Sequence, residues 1–138
     1  MAIHAVGARY GEDDVSQVFI DKGIVGTGWT KEQAPDLHEY FRALKVGDIV
    51  YLKSASSGSG ITVKGIGVIS DSQLLTATNT GETVKVGRNA IWLNTENFAL
   101  AKPPEKFNVR ANTAHEEFHP DVQVEILKKL KQSKGAAA

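Results

Sequence analysis

The feature that most constrains the fold is a pair of β-rich runs separated by a short serine- and glycine-rich segment. Residues 49–53 read Ile-Val-Tyr-Leu-Lys, a density of branched and aromatic residues typical of a strand buried on both faces. The second run, residues 61–69, contains Gly65 and Gly67, where a bulge or a close backbone approach is expected. Residues 54–60 between the runs are expected to form a mobile hairpin loop. A β-hairpin over residues 49–69 is therefore predicted.

Further β-rich stretches flank this hairpin. Residues 3–10 loosely alternate in polarity and predict a first strand ending at Gly11, followed by a polar turn at residues 12–14. Residues 15–25 predict one bent strand or two short ones. Residues 83–86 and 90–93 predict two short strands around Gly87-Arg88-Asn89, with Trp92 in the core. The sheet is thus expected to contain several short strands.

Two amphipathic helices are predicted, each beginning at a proline. Pro35 precedes an i, i+3, i+4, i+7 apolar stripe from Leu37 to Leu44, so the first helix covers residues 35–44. Pro120 begins a second stripe, with lysines near its C-terminal end where the helix dipole favours cations. This C-terminal helix is expected to pack across an open barrel end. Prolines at 103 and 104 break the chain before it.

Length and composition place the chain among compact α+β proteins. A chain of 138 residues buries roughly two-thirds of its unfolded surface, and no repeat or linker divides it. One α+β domain is expected over residues 1–133, with residues 134–138 as a flexible tail. No apolar run approaches the ~20 residues that span a bilayer, and the N-terminus lacks a signal-peptide pattern. A cytoplasmic location without a membrane partner is therefore expected.

Charge and cysteine content exclude several kinds of function. Sixteen basic residues balance sixteen acidic ones, so any affinity for nucleic acid must come from a local patch. The absence of cysteine excludes disulfides, thiolate zinc sites and thiol nucleophiles. A wide non-specific DNA-binding surface is not expected.

Glycine and serine motifs do not indicate catalysis. Gly65-Ile66-Gly67 lies inside a predicted strand, has no helix after it and lacks the third glycine of a dinucleotide-binding loop. Ser57-Gly58-Ser59-Gly60 lies in a flexible loop, without the strand-to-helix turn of a nucleophile elbow. We therefore expect no catalytic residue and no cofactor.

The histidines and paired carboxylates are interpreted as surface groups. His115 and His119 have a metal-binding spacing on a helix, but Pro120 disfavours helix there, so both imidazoles are expected at the surface. Glu116 and Glu117 are adjacent and would point apart, so they are expected to be cap or surface charges. No metal site is predicted.

A set of polar and aromatic residues at strand ends beside glycine turns forms the candidate site. Trp29 follows Gly26-Thr27-Gly28, and a tryptophan in a turn needs a partner for its ring and its N–H. It either stacks on a planar ligand or caps the core. The candidate ligand-binding residues are Arg9, Tyr10, Trp29, Lys53, Ser54, Arg88, Arg110, Asn112 and Thr113.

Several of these segments occur in the order found in a known family. They are Gly23-Ile24, Gly28-Trp29, Tyr40-Phe41 on a helix, Gly47-Asp48-Ile49-Val50, Gly65-Ile66-Gly67-Val68-Ile69, Arg88, Trp92-Leu93, and Asn112-Thr113 before the C-terminal helix. Over residues 3–130 the chain resembles the EVE-like branch of the PUA-like superfamily. The Gly-Asp-Ile-Val and Gly-Ile-Gly-Val-Ile segments are the most specific, because one hairpin separates them.

The resemblance implies a mixed β pseudo-barrel with a few peripheral helices and a pocket at one end. Because the family includes the DNA-reading domains of modification-dependent restriction systems, the pocket is expected to hold a flipped modified base or a nucleotide-like ring. By position Trp29 would be a wall of the pocket. The rim would be Lys53, Ser54 and Arg88, and the base-edge or phosphate contacts would be Arg110, Asn112 and Thr113.

The leading hypothesis is a non-enzymatic module that recognises a modified nucleobase in DNA or RNA, or a related nucleotide. One alternative is a free-standing protein that sequesters a small nucleotide signal, as a phage counter-defence protein would, because neutral charge suits a small ligand. Another is an RNA- or nucleotide-modifying enzyme with Glu116, Asp48 or His115 as its acid or base. Asp48 is expected instead to accept backbone N–H groups in its turn. A protein-interaction domain would show an exposed apolar patch.

Overall fold

The computed structural model of the protein describes residues 1–56, 60–100 and 113–132. The helices are α1 (Ser16–Lys22), α2 (Pro35–Ala43) and α3 (Pro120–Lys131), with a short 3-10 helix at Thr78–Thr80. The strands are β1 (Ile3–Gly7), β2 (Arg9–Tyr10), β3 (Asp13–Asp14), β4 (Ile24–Thr27), β5 (Ile49–Ser56), β6 (Gly60–Thr76), β7 (Val86–Asn94), β8 (Phe98–Leu100) and β9 (Ala114–Glu116). The α+β class expected from the sequence is confirmed.

One mixed sheet organises the molecule. Its strand order is β4-β7-β6-β5-β1-β9, and β8 pairs with the first part of β6. The β1–β5 pair is parallel, and the other neighbouring pairs are antiparallel. Separately, β2 and β3 form a small hairpin in which Arg9 pairs with Asp14. Within the described residues this order does not close into a barrel.

The two faces of the sheet carry separate hydrophobic cores. Along β5 the side chains alternate, so Val50 and Leu52 join one core while Ile49 and Tyr51 join the other. All four side chains are buried, which confirms the prediction of a strand covered on both faces. The sheet is therefore the middle layer of the fold.

Each core is covered by its own helices. Phe19 of α1 and Phe41 of α2 are fully buried in the core that contains Val50. Val122 and Ile126 of α3 are buried in the core that contains Tyr51. The C-terminal helix thus packs against a sheet face, which corrects the expectation that it would cross an open barrel end.

The helices at the two prolines and the central hairpin are confirmed. The α2 and α3 helices begin at Pro35 and Pro120 as predicted. The close backbone approach expected at Gly67 is also present, because a β-carbon built there would lie 2.5 Å from the Ile91 carbonyl oxygen. Trp92 packs against the first core, and its indole N–H donates to the Phe19 carbonyl at 3.2 Å.

Four local predictions are wrong. Residues 3–10 form two strands, β1 and β2, and Asp13–Asp14 form β3 within the segment that was expected to be a turn. Residues 15–25 contain α1 followed by β4, because Gly23 in the left-handed conformation (φ 66°) ends a helix before the strand begins. Residues 86–94 form a single strand, and Thr83–Lys85 precede it outside any strand. Ser54–Ser56 and Gly60 belong to β5 and β6, so the connection is shorter than the expected loop over residues 54–60.

Some predictions concern parts of the chain outside the described residues. These are the roles of Arg110 and Asn112, the break at Pro103-Pro104, the Ser57–Ser59 tip of the hairpin and the tail at residues 134–138. No helix among the described residues has the length and apolar character needed to cross a membrane.

Candidate functional site

A cavity of about 340 Å³ lies between the C-terminal ends of β1 and β4 and the β2–β3 hairpin. Small-molecule pockets commonly have volumes of about 300–1,000 Å³. Its lining is contributed by two strand ends, one hairpin, the turn before α2 and the residue before β9: Gly7, Arg9, Tyr10, Gly11, Thr27, Gly28, Trp29, Gln33 and Thr113. The structure therefore brings together four of the candidate residues from the sequence, namely Arg9, Tyr10, Trp29 and Thr113.

Trp29 is held by its backbone while its side chain is left half-exposed. Its N–H donates to Thr27 Oγ1 at 3.2 Å, and its carbonyl accepts a hydrogen bond from His38 Nε2 at 2.7 Å. The residue is 51% exposed and belongs to neither core. Trp29 thus lines the cavity with about half of the residue exposed, as a stacking surface for a planar group requires.

Tyr10 lies between the cavity and the first core. Its hydroxyl donates to the Thr83 carbonyl oxygen at 2.6 Å, and its ring meets Phe19 edge-on with centroids 6.3 Å apart. Burial raises the pKa of Tyr10 to about 12. The ring is therefore an uncharged, fixed surface of the cavity at physiological pH.

Gly28 lets the Tyr10 ring pack closely, and Gly7 positions Thr113 through its backbone. A β-carbon built on Gly28 would lie 3.1 Å from Tyr10 Cζ, so a larger residue at position 28 would push against the ring. Gly7 N–H donates to the Thr113 carbonyl at 2.6 Å. This hydrogen bond fixes Thr113 beside the end of β1.

Arg9 supplies the charged group among the lining residues. It is exposed on β2 and pairs in register with Asp14 on β3. Burial raises the pKa of Asp14, but hydrogen bonds from Ser16 and the charges of Lys64 and Arg9 outweigh it and leave that pKa below its usual value. The hairpin therefore carries a cation at the cavity beside a stably ionised carboxylate.

Lys53 and Ser54 are not among the residues that line the cavity. Lys53 is only 5% exposed, and its Nζ lies 3.4 Å from His115 Nδ1. Its Cε lies 3.9 Å from a β-carbon built on Gly7, so the lysine stem passes just behind the cavity. Ser54 is half-buried on β5 opposite Thr62. The rim position expected for these two residues is not where the structure places them.

Arg88 is a buried structural residue that also lies away from the cavity. It is 3% exposed, and its guanidinium donates to the carbonyl oxygens of Phe41 at 3.0 Å, Asp71 at 2.8 Å and Leu44. Burial lowers the pKa of Arg88, opposed by the charges of Asp71 and Asp48. Its hydrogen bonds join the end of α2 to β6, which corrects the expectation of a rim residue.

His115, Glu117 and His119 are buried, contrary to the surface placement expected from the sequence. Glu117 is 2% exposed, and its Oε1 accepts a hydrogen bond from the Tyr51 hydroxyl at 2.5 Å. His115 Nε2 lies 3.8 Å from the same oxygen. His119 Nδ1 accepts from Asp121 N–H at 3.2 Å and so caps α3. These groups hold β9 and α3 against the sheet.

Asp48 accepts backbone N–H groups, as predicted for its turn. The donors are Lys45 at 3.0 Å and Ala2 at 3.2 Å, and His4 Nε2 lies 3.2 Å from Oδ2. Burial raises the pKa of Asp48, but these hydrogen bonds and the charge of His4 outweigh it, so the pKa lies below its usual value. The carboxylate ties the N-terminus to the turn before β5.

Reasoning from the sequence missed some of the residues that line the cavity, among them Gly7, Thr27 and Gln33. A signal for Gln33 was present, because Thr30-Lys31-Glu32-Gln33 has the Thr-x-x-Gln spacing of a capping box. No equivalent local pattern marks Gly7 or Thr27, which reach the cavity through the pairing of distant strands.

The sequence matches no family model and no curated protein. Among solved structures, the protein is similar to the YTH domain of Toxoplasma CPSF4, which was solved in complex with a 7-mer m6A-modified RNA. The TM-score is 0.58 and the sequence identity is 16%, and the match covers 96% of this chain and 91% of that one. The fold is shared with YTH domains.

Two further structures agree with this likeness. The YTH domain of Zygosaccharomyces rouxii MRB1, in complex with N6-methyladenosine RNA, has a TM-score of 0.58 and 14% identity, covering 94% of this chain and 84% of that one. The NMR structure of Rpa0253 from Rhodopseudomonas palustris has a TM-score of 0.55 and 12% identity, covering 94% and 93%. All three likenesses concern the fold.

Proposed function

We propose that the chain is a non-enzymatic binding module that recognises a modified nucleobase, and that the cavity beside Trp29 holds the base. The observation that carries this proposal is the half-exposed indole of Trp29 at the side of a cavity of about 340 Å³. Two YTH domains that share the fold were solved in complex with m6A-modified RNA. A base inserted into the cavity would stack on Trp29.

The residues around the cavity suit an uncharged aromatic ring. Stacking of a base on an aromatic side chain contributes about 1–3 kcal/mol, independently of base sequence. Tyr10 adds a second, neutral aromatic surface, because its hydroxyl is bonded to Thr83 and its pKa is raised to about 12. Arg9 at the rim offers a planar guanidinium that pairs well with a phosphate oxygen.

The charge of the chain favours a ligand held mainly through its base. Arg9 is the charged residue among those that line the cavity. The chain as a whole has a formal net charge of zero. Binding to a polymer through many phosphates would give a steep loss of affinity with salt, about 0.7 in log K per phosphate contact for a single strand. We therefore expect a shallow salt dependence, for a single-stranded RNA or for a free nucleotide.

The test is a titration of the protein with N6-methyladenosine, adenosine, their 5′-monophosphates and a short single-stranded RNA with or without one N6-methyladenosine, at two salt concentrations. We expect the methylated forms to bind at least tenfold more tightly than the unmethylated forms. Equal binding of RNA and mononucleotide would favour sequestration of a small nucleotide, whereas tighter binding of RNA would favour reading of a polymer.

Matched tryptophan variants assign the binding to this cavity. Trp29→Ala should abolish binding, Trp29→Phe should retain part of it, and Trp92→Phe should retain all of it, because Trp92 packs against the core. Stacking of a base on Trp29 is expected to quench indole fluorescence, and this quench should persist in Trp92→Phe and disappear in Trp29→Phe. Unchanged affinity of Trp29→Ala would refute the proposed site.

A further inference from the structure

The turn that carries Trp29 into α2 holds a second cavity residue, Gln33, in one orientation. Thr30 N–H donates to Gln33 Oε1 at 2.9 Å, and Gln33 N–H donates to Thr30 Oγ1 at 3.1 Å. This reciprocal pair has the hydrogen-bond pattern of a capping box in the turn before α2, and the Ala34 N–H closes the turn by donating to the Thr30 carbonyl at 2.9 Å. The Gln33 side chain is thereby fixed at both ends although it is exposed.

The hydrogen bond from Thr30 determines which end of the Gln33 amide is free. A backbone N–H is a donor, so the amide atom that it meets must be the oxygen, and Nε2 is the other atom. Nε2 carries two N–H groups and makes no hydrogen bond to any residue in the part of the chain that the structure describes. Gln33 therefore has a free hydrogen-bond donor, Nε2, and is one of the residues that line the cavity.

The other polar groups that line the cavity either are already hydrogen-bonded within the protein or can only donate. The Tyr10 hydroxyl proton is committed to the Thr83 carbonyl, and Thr27 Oγ1 accepts from Trp29 N–H. The remaining nitrogen group in the lining is the guanidinium of Arg9, which also only donates. A ligand that stacks on Trp29 thus meets N–H donors from Gln33 and Arg9.

On the basis of the proposed base-binding role of the cavity, we propose that Gln33 is a specificity-determining residue that selects bases presenting a hydrogen-bond acceptor to its Nε2. The acceptor is an unprotonated ring nitrogen or an exocyclic carbonyl oxygen. A base whose corresponding ring nitrogen is methylated or protonated places a substituent against the amide donor and is rejected, because the bound base then covers the donor without pairing it. Gln33 and Trp29 lie on the same turn, so the stacking surface and the reading group are positioned together.

The experiment uses Gln33→Glu, which keeps an oxygen for the Thr30 N–H and the capping box while removing the amide donor. The probes are N6-methyladenosine and its 1-deaza, 3-deaza and 7-deaza analogues, each of which replaces one ring acceptor with C–H. We expect one analogue to bind wild type at least tenfold more weakly than N6-methyladenosine. Gln33→Glu should bind N6-methyladenosine at least tenfold more weakly and show no further loss with that analogue.

A thermal melt of Gln33→Glu within about 2 °C of wild type would show that the cap is kept. If all three analogues give the same affinity ratio in wild type and in Gln33→Glu, or if N6-methyladenosine does not bind, this inference is overturned. Trp29→Ala distinguishes the reading role of Gln33 from the existence of the base site. Loss of binding in Trp29→Ala with no effect of Gln33→Glu would remove only the reading role, whereas no loss in Trp29→Ala would remove the base site itself.

Discussion

The ring of Tyr10 lies directly over Gly28, with Tyr10 Cζ only 3.1 Å from the position that a β-carbon at residue 28 would occupy. The ring has little freedom to move, because its hydroxyl is bonded to Thr83 and its edge rests on Phe19. The position of the Tyr10 ring in the lining of the cavity therefore depends on the absence of a side chain at position 28.

We expect Gly28→Ala to displace the Tyr10 ring by a few tenths of an ångström and to weaken binding of N6-methyladenosine. Overpacking of this kind costs about 1–3 kcal/mol of unfolding free energy. Gly65→Ala is the matched control, because a β-carbon there lies 3.3 Å from Ile20 Cδ1, a comparable contact outside the lining of the cavity. Equal loss of affinity in both variants, measured by calorimetric titration, would contradict this reading of the Tyr10–Gly28 contact.

Substitution of the two tryptophans should separate binding from stability. Trp29→Ala is expected to change the free energy of unfolding by about 1 kcal/mol or less, because the residue is half-exposed and outside both cores. Trp92→Ala is expected to cost about 3 kcal/mol, because the indole packs on the first core and bonds to Phe19. Urea unfolding monitored by circular dichroism measures both. A larger loss in Trp29→Ala than in Trp92→Ala would place Trp29 in the core.

Arg88→Ala should destabilise the fold strongly without altering the chemistry of the cavity. Removal of the guanidinium leaves the carbonyl oxygens of Phe41, Leu44 and Asp71 without this donor, at a cost of about 3 kcal/mol or more. Arg42→Ala is the surface control, since its exposed contact with Glu39 contributes about 0.5 kcal/mol or less. If folded Arg88→Ala protein failed to bind N6-methyladenosine while Arg42→Ala bound it normally, Arg88 would have to contribute to the site after all.

Ionisation of Asp48 should make the stability of the fold depend on pH in the acidic range. Because the folded-state pKa is lowered, the carboxylate contributes stability that is fully present above its unfolded pKa of about 3.9 and is lost as the pH falls through the lower folded value. Asp48→Asn should cost about 1–3 kcal/mol at pH 7, because an amide accepts fewer and weaker hydrogen bonds. Thermal melts between pH 7 and pH 3 should show the difference from wild type shrinking below about pH 4. A constant difference over this range would exclude the role of the ionised carboxylate.

The sequence predicted the elements whose ends carry a local chemical signal. Prolines at 35 and 120 begin the two longer helices, and the Gly-Asp turn leads into the central hairpin. The α1 helix was missed because Val18, Phe19 and Ile20 resemble a strand, although Gly23 ends the helix in the left-handed conformation. Its first turn is supported by the Asp14 side chain, which accepts from Ser16 N–H at 2.9 Å, a contact that composition does not reveal.

The sequence predicted some residues of the candidate site correctly. The wrong predictions concern residues that are buried in the structure. Arg9, Tyr10, Trp29 and Thr113 lie together because they occur at strand ends or beside turns, which the glycine pattern indicated. Lys53 and Arg88 have the same polar character in the sequence, yet both are buried within the fold. Their different surroundings are produced by pairing of distant strands, so no short sequence pattern distinguishes them from rim residues.

The place of β1 in the sheet has a consequence for how the polypeptide acquires its structure during synthesis. β1 leaves the ribosome first, but its neighbours are β5 on one side and β9 on the other. Both partners are made later, and folds dominated by such long-range pairings form slowly. In a nascent chain β1 therefore has two open edges until β5 has emerged, and one open edge until residues 114–116 have emerged. During that interval chaperone binding or self-association competes with completion of the sheet.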